Sequence, residues 1–391
     1  MLVQSISLSL LSLLLTSTHA ARPFLNEPDT GIEGALGDLN GNLPNLTSVV
    51  GLPDFDWVAR QVMPLQNYTY YRNGVAGEWS YRNNLEVFYR FRLRPRVLVD
   101  VTKIEDTLTT NILGYNFSAP FFISPCARAG YAHPDAELNL MRGAAQENIL
   151  YMVSDYATLS KDQIHAAIPE NQTLFQQIYI SNNRTTARAQ IEAAEASGFK
   201  GIALTVDAPG EASRHRAARF SVGSANTQYT YFSWDYYNEM RSWTSLPIIP
   251  KGILTWEDAV KAVEVGAPAI FLSNHGGRQL DGVPSPLEVA LEIHENAPWV
   301  FNSTTVLADG GVRYGTDALK LLALGVKAVG VGRPFMYSNV FGVDGVVRAA
   351  KILKREIATN AANLGVADLK QITPDYLSTQ TAQLSLSLGD D

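Results

Sequence analysis

Residues 305–332 read TVLADGGVRYGTDALKLLALGVKAVGVG. A short apolar run, Thr305–Asp309, leads into a glycine turn. A stretch of helical periodicity over Asp317–Leu324 follows, and then a second apolar run, Ala328–Gly332. Strand, helix and strand at this spacing predict two parallel strands joined by a crossover helix. Upstream the same rhythm recurs. Further runs lie at Phe121–Ser124, Leu150–Ser154, Leu174–Ile180, Ile202–Asp207, Pro247–Lys251 and Ala269–Asn274. Helical stretches between them include Glu137–Glu147, Ala187–Ser197, Trp256–Val265 and Leu287–Glu295. Eight such runs predict an α/β fold, a closed (β/α)8 TIM barrel. A doubly wound open sheet is the alternative, but it needs a sheet edge that the sequence does not offer.

The 391 residues are 46% hydrophobic and 18% charged, enough apolar material for a large core. A net charge of −7 gives no general attraction for nucleic acid or anionic membranes. Residues 1–20, MLVQSISLSLLSLLLTSTHA, have an apolar run too short to span a bilayer and end in small residues. They read as a secretory signal peptide, although no Lys or Arg precedes the apolar run. A secreted glycoprotein is therefore expected, with sequons at Asn45, Asn67, Asn116, Asn171, Asn183 and Asn302. The single cysteine, Cys126, rules out an intrachain disulfide, and no zinc-binding motif is present. Residues 21–66 read as an irregular lead-in with one helix near Trp57–Met63. Residues 67–361 read as the barrel and 362–391 as a weakly structured tail. Ser221–Trp243, rich in Tyr, Ser and Asn, reads as a lid insertion.

Polar and glycine residues gather just after the apolar runs: Cys126-Ala127, Ser154, Gln177, Tyr179, Asp207, Lys251, His275, Gly310-Gly311 and Gly332-Arg333. In barrels of this class the strand C-termini form the active-site mouth. LSNHGGRQLDG at Leu272–Gly282 puts a histidine beside two glycines and Arg278. The glycines admit a flat ring or a substrate at close range, and an arginine can grip a carboxylate at two points. A loop histidine beside a surface arginine is the plainer reading of His275 taken alone. LADGGVRYGT and GVGRP put glycine turns and two arginines, Arg313 and Arg333, after the seventh and eighth runs. Barrels commonly bind phosphate there.

SNHGGRQLDG, DGGVR and GRP, with LTVDAP at Leu204–Pro209, RFRLRPRVLVDV at Arg90–Val101 and LFQQIYI at Leu174–Ile180, resemble the FMN-dependent 2-hydroxy acid oxidase and dehydrogenase family. Glycolate oxidase, lactate oxidase and the flavin domain of flavocytochrome b2 belong to it, and the resemblance runs from about Tyr68 to Lys354. It implies FMN as cofactor, His275 as the active-site base and Asp207 as its partner. It implies Arg214 and Arg278 on the substrate carboxylate, with Tyr70 and Tyr179 lining the pocket. Lys251 would sit beside the flavin N1/O2 edge. Ser154, Gln177, Thr205, Ser273 and backbone around Ala127 would contact the isoalloxazine. Asp309, Gly311, Arg313, Gly332 and Arg333 would hold the ribityl chain and phosphate.

Two departures stand out. Pro125-Cys126-Ala127 replaces a usual Pro-Thr-Ala, and Asp155-Tyr156-Ala157 replaces a Ser-Trp-Ala pattern. Tyr156 leaves substrate size open, and Asp155 adds an anion near the mouth. No haem-binding domain is read ahead of the barrel, so a flavocytochrome is not expected. O2 is the expected electron acceptor for a secreted enzyme, and relatives imply a tetramer. The alternatives are a tailoring oxidoreductase acting on a larger hydroxy acid or alcohol, a dehydrogenase that does not use O2, and a barrel that has lost catalysis. Intact His275, Asp207, Arg214 and Arg278 argue against the last.

Overall fold

Eight parallel strands close into a barrel. They are β1 (Phe121–Ile123), β2 (Leu150–Val153), β3 (Leu174–Ile178), β4 (Ile202–Thr205), β5 (Ile248–Ile253), β6 (Ala269–Leu272), β7 (Thr305–Asp309) and β8 (Ala328–Val331). The computed structural model describes residues 30–170, 172–223 and 229–379. The signal-peptide reading and the Asn171 sequon lie outside them. β8 pairs with β1 through Val329–Phe121, Gly330–Phe122 and Val331–Ile123, so the sheet has no edge and the open-sheet alternative is excluded.

Side chains alternate in and out along each strand. The inward set Phe122, Met152, Phe175, Ala203, Ile249, Phe271, Leu307 and Ala328 forms one buried cluster, with Leu150 and Ala269. Ile112 and Phe117 join it from a hairpin of Thr110–Ile112 with Tyr115–Phe117, which plugs the N-terminal end. The outward set packs against the crossover helices as a second, larger core. Helix starts follow local chemistry. Ser285 caps Pro286–Asn296 in a reciprocal box with Glu288, and Thr255 caps Trp256–Glu264.

Three expectations differ from the structure. The lead-in carries several helices, including Ile32–Leu36, Leu52–Val62 and Leu65–Arg72, the last of which straddles position 66. Leu52, Phe55, Val58 and Ala59 are fully buried, and Phe55 packs edge-on to Phe341. These helices take their stability from the barrel, which a short and proline-broken sequence pattern does not reveal. The tail is likewise ordered as far as it is described. The last long helix runs Gly342–Leu364, past position 361, and Leu377–Ser378 pairs with Arg92–Leu93. Finally, Ser221–Trp243 contains a packed helix, Trp234–Arg241, with Tyr236, Tyr237 and Met240 buried. None of the segment's described side chains lines the central cavity, so the lid reading finds no support there. No described helix is long and apolar enough to cross a membrane.

Candidate active site

Two residues beyond the apolar inward layer, the same face of each strand turns polar or bare. Ser124, Ser154, Gln177, Thr205, Lys251, Ser273, Asp309 and Gly330 make a ring at the C-terminal mouth. All but Ser273 line one cavity at this mouth. The ring is internally bonded. Ser154 Oγ donates to Gln177 Oε1 (3.3 Å), Gln177 Nε2 to Thr205 Oγ1 (2.7 Å), and Ser124 Oγ to Asp309 Oδ2 (3.1 Å). Lys251 is buried and donates to Ser273 Oγ at 3.0 Å. Ser124 was not singled out from sequence, although the inward register that marks Ser154 and Gln177 marks it too.

Of the residues expected at the site, only Asp207 and Ser273 do not line this cavity, and each stands directly behind one that does. His275 Nδ1 lies 2.9 Å from Asp207 Oδ1, and His275 Nε2 lies 3.0 Å from the Tyr179 hydroxyl. An ionised Asp207 can only accept, so Nδ1 donates to it. Nε2 therefore carries the lone pair and faces the cavity, with Tyr179 as its donor. His275 adopts φ +58°, the left-handed region, as the chain leaves β6 through Gly276 and Gly277. Gly277 is required here, because a Cβ would lie 2.5 Å from the Tyr81 backbone nitrogen.

Burial lowers the His275 pKa from its ordinary value, and Asp207 only partly offsets this, so the imidazole is neutral at pH 7. Burial pushes the Asp207 carboxyl up, but His275 and Lys251 outweigh it and hold the group below its usual range. Burial and then the Asp207 charge raise Tyr179, which stays a protonated donor. Burial also raises Cys126, and the nearby Arg333 and Arg278 do not overcome it, so this cavity-lining thiol stays protonated.

Lys251, Arg214, Arg278, Arg313 and Arg333 all line the cavity, an excess of positive charge in an acidic protein. Burial and the adjacent Arg278 lower the Arg214 pKa well below its ordinary value, a strain that a bound anion relieves. Arg214 is held by Arg278 O (2.9 Å) and by Gln279 Oε1 (2.6 Å). Gln279 is a cavity residue that carried no sequence signal. Arg278 donates to the carbonyls of Tyr70 and Tyr71, and its guanidinium lies over the Tyr70 ring. Arg333 donates to the carbonyls of Tyr71, Asn73 and Gly276. Asp155 does not face the cavity as a free anion. It is paired with Lys161 at 3.2 Å and accepts from the Tyr179 backbone N–H, which corrects the expectation drawn from its position. Tyr156 does line the cavity, its ring 5.1 Å from that of Tyr179.

The model of the family described as FMN-dependent dehydrogenase matches residues 59–230 and 218–379. The chain is 36% identical over 366 residues to a peroxisomal (S)-2-hydroxyacid oxidase of Arabidopsis thaliana, covering 87% of this chain and 99% of that protein. The chain belongs to the FMN-dependent dehydrogenase family. It is also 34% identical to a cytochrome-type L-lactate dehydrogenase of Wickerhamomyces anomalus over 86% of this chain, but spans only 63% of that relative. The flavin-binding domain of baker's yeast flavocytochrome b2 superposes with a TM-score of 0.82 at 35% identity, over 87% of this chain and 89% of that one. A structure of (S)-mandelate dehydrogenase gives 0.78 at 28% identity, over 85% and 99%.

FMN is the cofactor of this family, and the residues present fit it. The cavity concentrates cations that a phosphate can neutralise, with Arg313 and Arg333 at the ends of β7 and β8. Among the described residues the buried Asp309 Oδ1 has no hydrogen-bond partner, which makes it an acceptor suited to a ribityl hydroxyl. At Gly311 (φ +81°) a Cβ would fall 1.7 Å from the Asn84 carbonyl oxygen, so only glycine lets this turn pack there.

Proposed function

We propose that this member of the family oxidises a 2-hydroxy acid to the 2-oxo acid and passes the electrons to O2, giving H2O2. The observation that carries the reading is the Asp207–His275–Tyr179 chain of hydrogen bonds, which ends in a cavity shared with Arg214 and Arg278. Arg214 and Arg278 hold the substrate carboxylate by charge-assisted bonds. Tyr70 and Tyr179 orient the substrate oxygens. His275 Nε2 takes a proton, and Asp207 stabilises the imidazolium that forms, assistance typically worth about 10²–10⁴ in rate. The same acceptor atom serves whether the proton leaves the α-carbon or the hydroxyl. Lys251, buried within β5, would supply positive charge where electron density accumulates. FMN, when bound, would supply the two-electron acceptor; Asp309, Gly311, Arg313, Gly332 and Arg333 would hold it and Ala127, Ser154, Gln177 and Thr205 would line it, with Ser273 acting from behind Lys251.

Use of O2 and entry into the secretory pathway are parts of the same proposal. The signal-like pattern of residues 1–20 supports secretion, and O2 is the simplest acceptor outside the cytosol. Asn45, Asn116, Asn183 and Asn302 are exposed, whereas Asn67 is half-buried and donates its side-chain amide to Tyr131 O. The proposal is tested by mixing the purified yellow protein, without oxygen, with a graded panel of short and bulky 2-hydroxy acids. Bleaching by at least one acid is expected, followed by one H2O2 per flavin when O2 is readmitted. A protein that no acid bleaches overturns the substrate class. A bleached protein that O2 does not reoxidise overturns the acceptor.

A further inference from the structure

Glu78 lies outside the cavity, in a short loop that meets every chain segment bringing a carboxylate-binding group to it. It sits in GVAGEWS, between helices Leu65–Arg72 and Trp79–Glu86, at φ +60° and 5% exposed. A buried carboxylate persists only where bonds replace its water. Glu78 Oε1 accepts from Gly74 N–H and from Arg216 Nε, both at 2.9 Å, and Oε2 accepts from Arg216 Nη2 at 3.0 Å. The Arg72 guanidinium adds a second cation at 3.8 Å. The two-point pairing with Arg216 is the directional part.

Arg216 belongs to helix His215–Arg219, whose N-cap is Arg214 itself. The same loop is stitched on two further sides. Ala76 N–H donates to Ser213 O at 2.8 Å, and Val75 N–H donates to Gly277 O at 2.9 Å. Thus one short loop ties the helix carrying Tyr70, the segment carrying Arg214 and the turn carrying His275 and Arg278. Glu78 is the member of that loop whose side chain makes an ionic bond across the join.

We propose that Glu78, through Arg216, is a positioning residue that sets Arg214 against Arg278 so that both reach one substrate carboxylate. This rests on the substrate reading above, and concerns how that grip is built. Glu78 touches neither cavity nor reacting atoms. Its loss therefore acts on anion binding and leaves the proton-transfer chain intact.

The test uses FMN-loaded E78Q, E78D and R216Q beside the wild type. Readouts are retained FMN, the KM and kcat for a hydroxy acid that bleaches the wild type, and the dissociation constant of the corresponding 2-oxo acid from perturbation of the flavin spectrum. E78Q and R216Q are expected to raise KM and that dissociation constant about tenfold or more, with kcat within about threefold, FMN retained, and partial recovery in E78D. The double variant is expected to be no worse than either single one, because both remove one contact. R216Q serves if E78Q does not fold, since Arg216 is only half-buried. Unchanged KM and dissociation constant in a folded, FMN-loaded variant overturn the proposal. So does a loss confined to thermal stability, or a fall in kcat with KM unmoved. A wild type that binds no hydroxy acid instead defeats the underlying substrate reading, so the two failures are distinguishable.

Discussion

The two sides of the cavity are assembled in opposite ways. On the side proposed for the phosphate, Asp309–Arg313 and Gly332–Arg333 leave two neighbouring strands, β7 and β8, through glycine turns, of which Gly311 packs against the Asn84 main chain. On the acid side, Tyr70, Tyr179, Arg214 and the turn His275–Arg278 come from four separate segments and are joined by long-range side-chain bonds. The Arg278–Tyr70 bond alone joins positions 208 apart. A backbone-built side is intolerant of added volume, because its neighbours are main chain that cannot turn away. A side-chain-built side tolerates volume but depends on each long-range bond that aims a group.

The sharpest break in that comparison is Gly311→Ala. Its Cβ would overlap the Asn84 carbonyl oxygen, so the turn must shift. The purified variant is expected to be colourless, with no FMN retained on gel filtration. Asp207→Asn acts on the other side. It should keep its flavin but lose about 10²–10⁴ in kcat, because an amide can donate to Nδ1 and push the proton onto Nε2. Rapid-reaction bleaching measures this directly.

The pH profile follows from the same pair. In the proposed reaction the neutral imidazole is the competent base, so kcat/KM should rise with pH through the His275 pKa. Burial lowers that pKa from its ordinary value, so the acid limb should lie below that of a free imidazole. An acid limb centred above 6.5 would contradict a buried, neutral His275. Tyr179→Phe removes one hydrogen bond to Nε2. It should cost about tenfold or less in kcat/KM, since such a bond is worth ~0.5–1.5 kcal/mol net. Asp155→Asn should do least, leaving the order of preferred acids unchanged across the panel, because Lys161 already neutralises the charge.

This contrast also explains what could be read in advance. Barrel strands and the phosphate turns are local patterns, and DGGVR needs only its own strand to declare itself. Ser154, Gln177 and Lys251 were legible because each closes an apolar run of its own strand, whereas Thr205 came only through the family resemblance. Asp155 misled because its partner, Lys161, and the Tyr179 N–H it accepts from fix its role only in three dimensions. Gln279 and Glu78 were silent for the same reason, since nothing nearby in sequence marks the arginines they meet. The helices before the barrel were underestimated because their stability comes from surfaces elsewhere in the chain.

The short pairing of Arg92–Leu93 with Leu377–Ser378 has a practical consequence. It sets the stretch leading into the barrel beside the stretch leaving it, as a buckle joins the ends of a belt. Arg94 N–H bonds Tyr376 O and Arg96 N–H bonds Leu364 O along the same seam. Trimming the protein back to residue 370 would therefore loosen its front as well as its back, and damage near position 92 would be felt by the final helix.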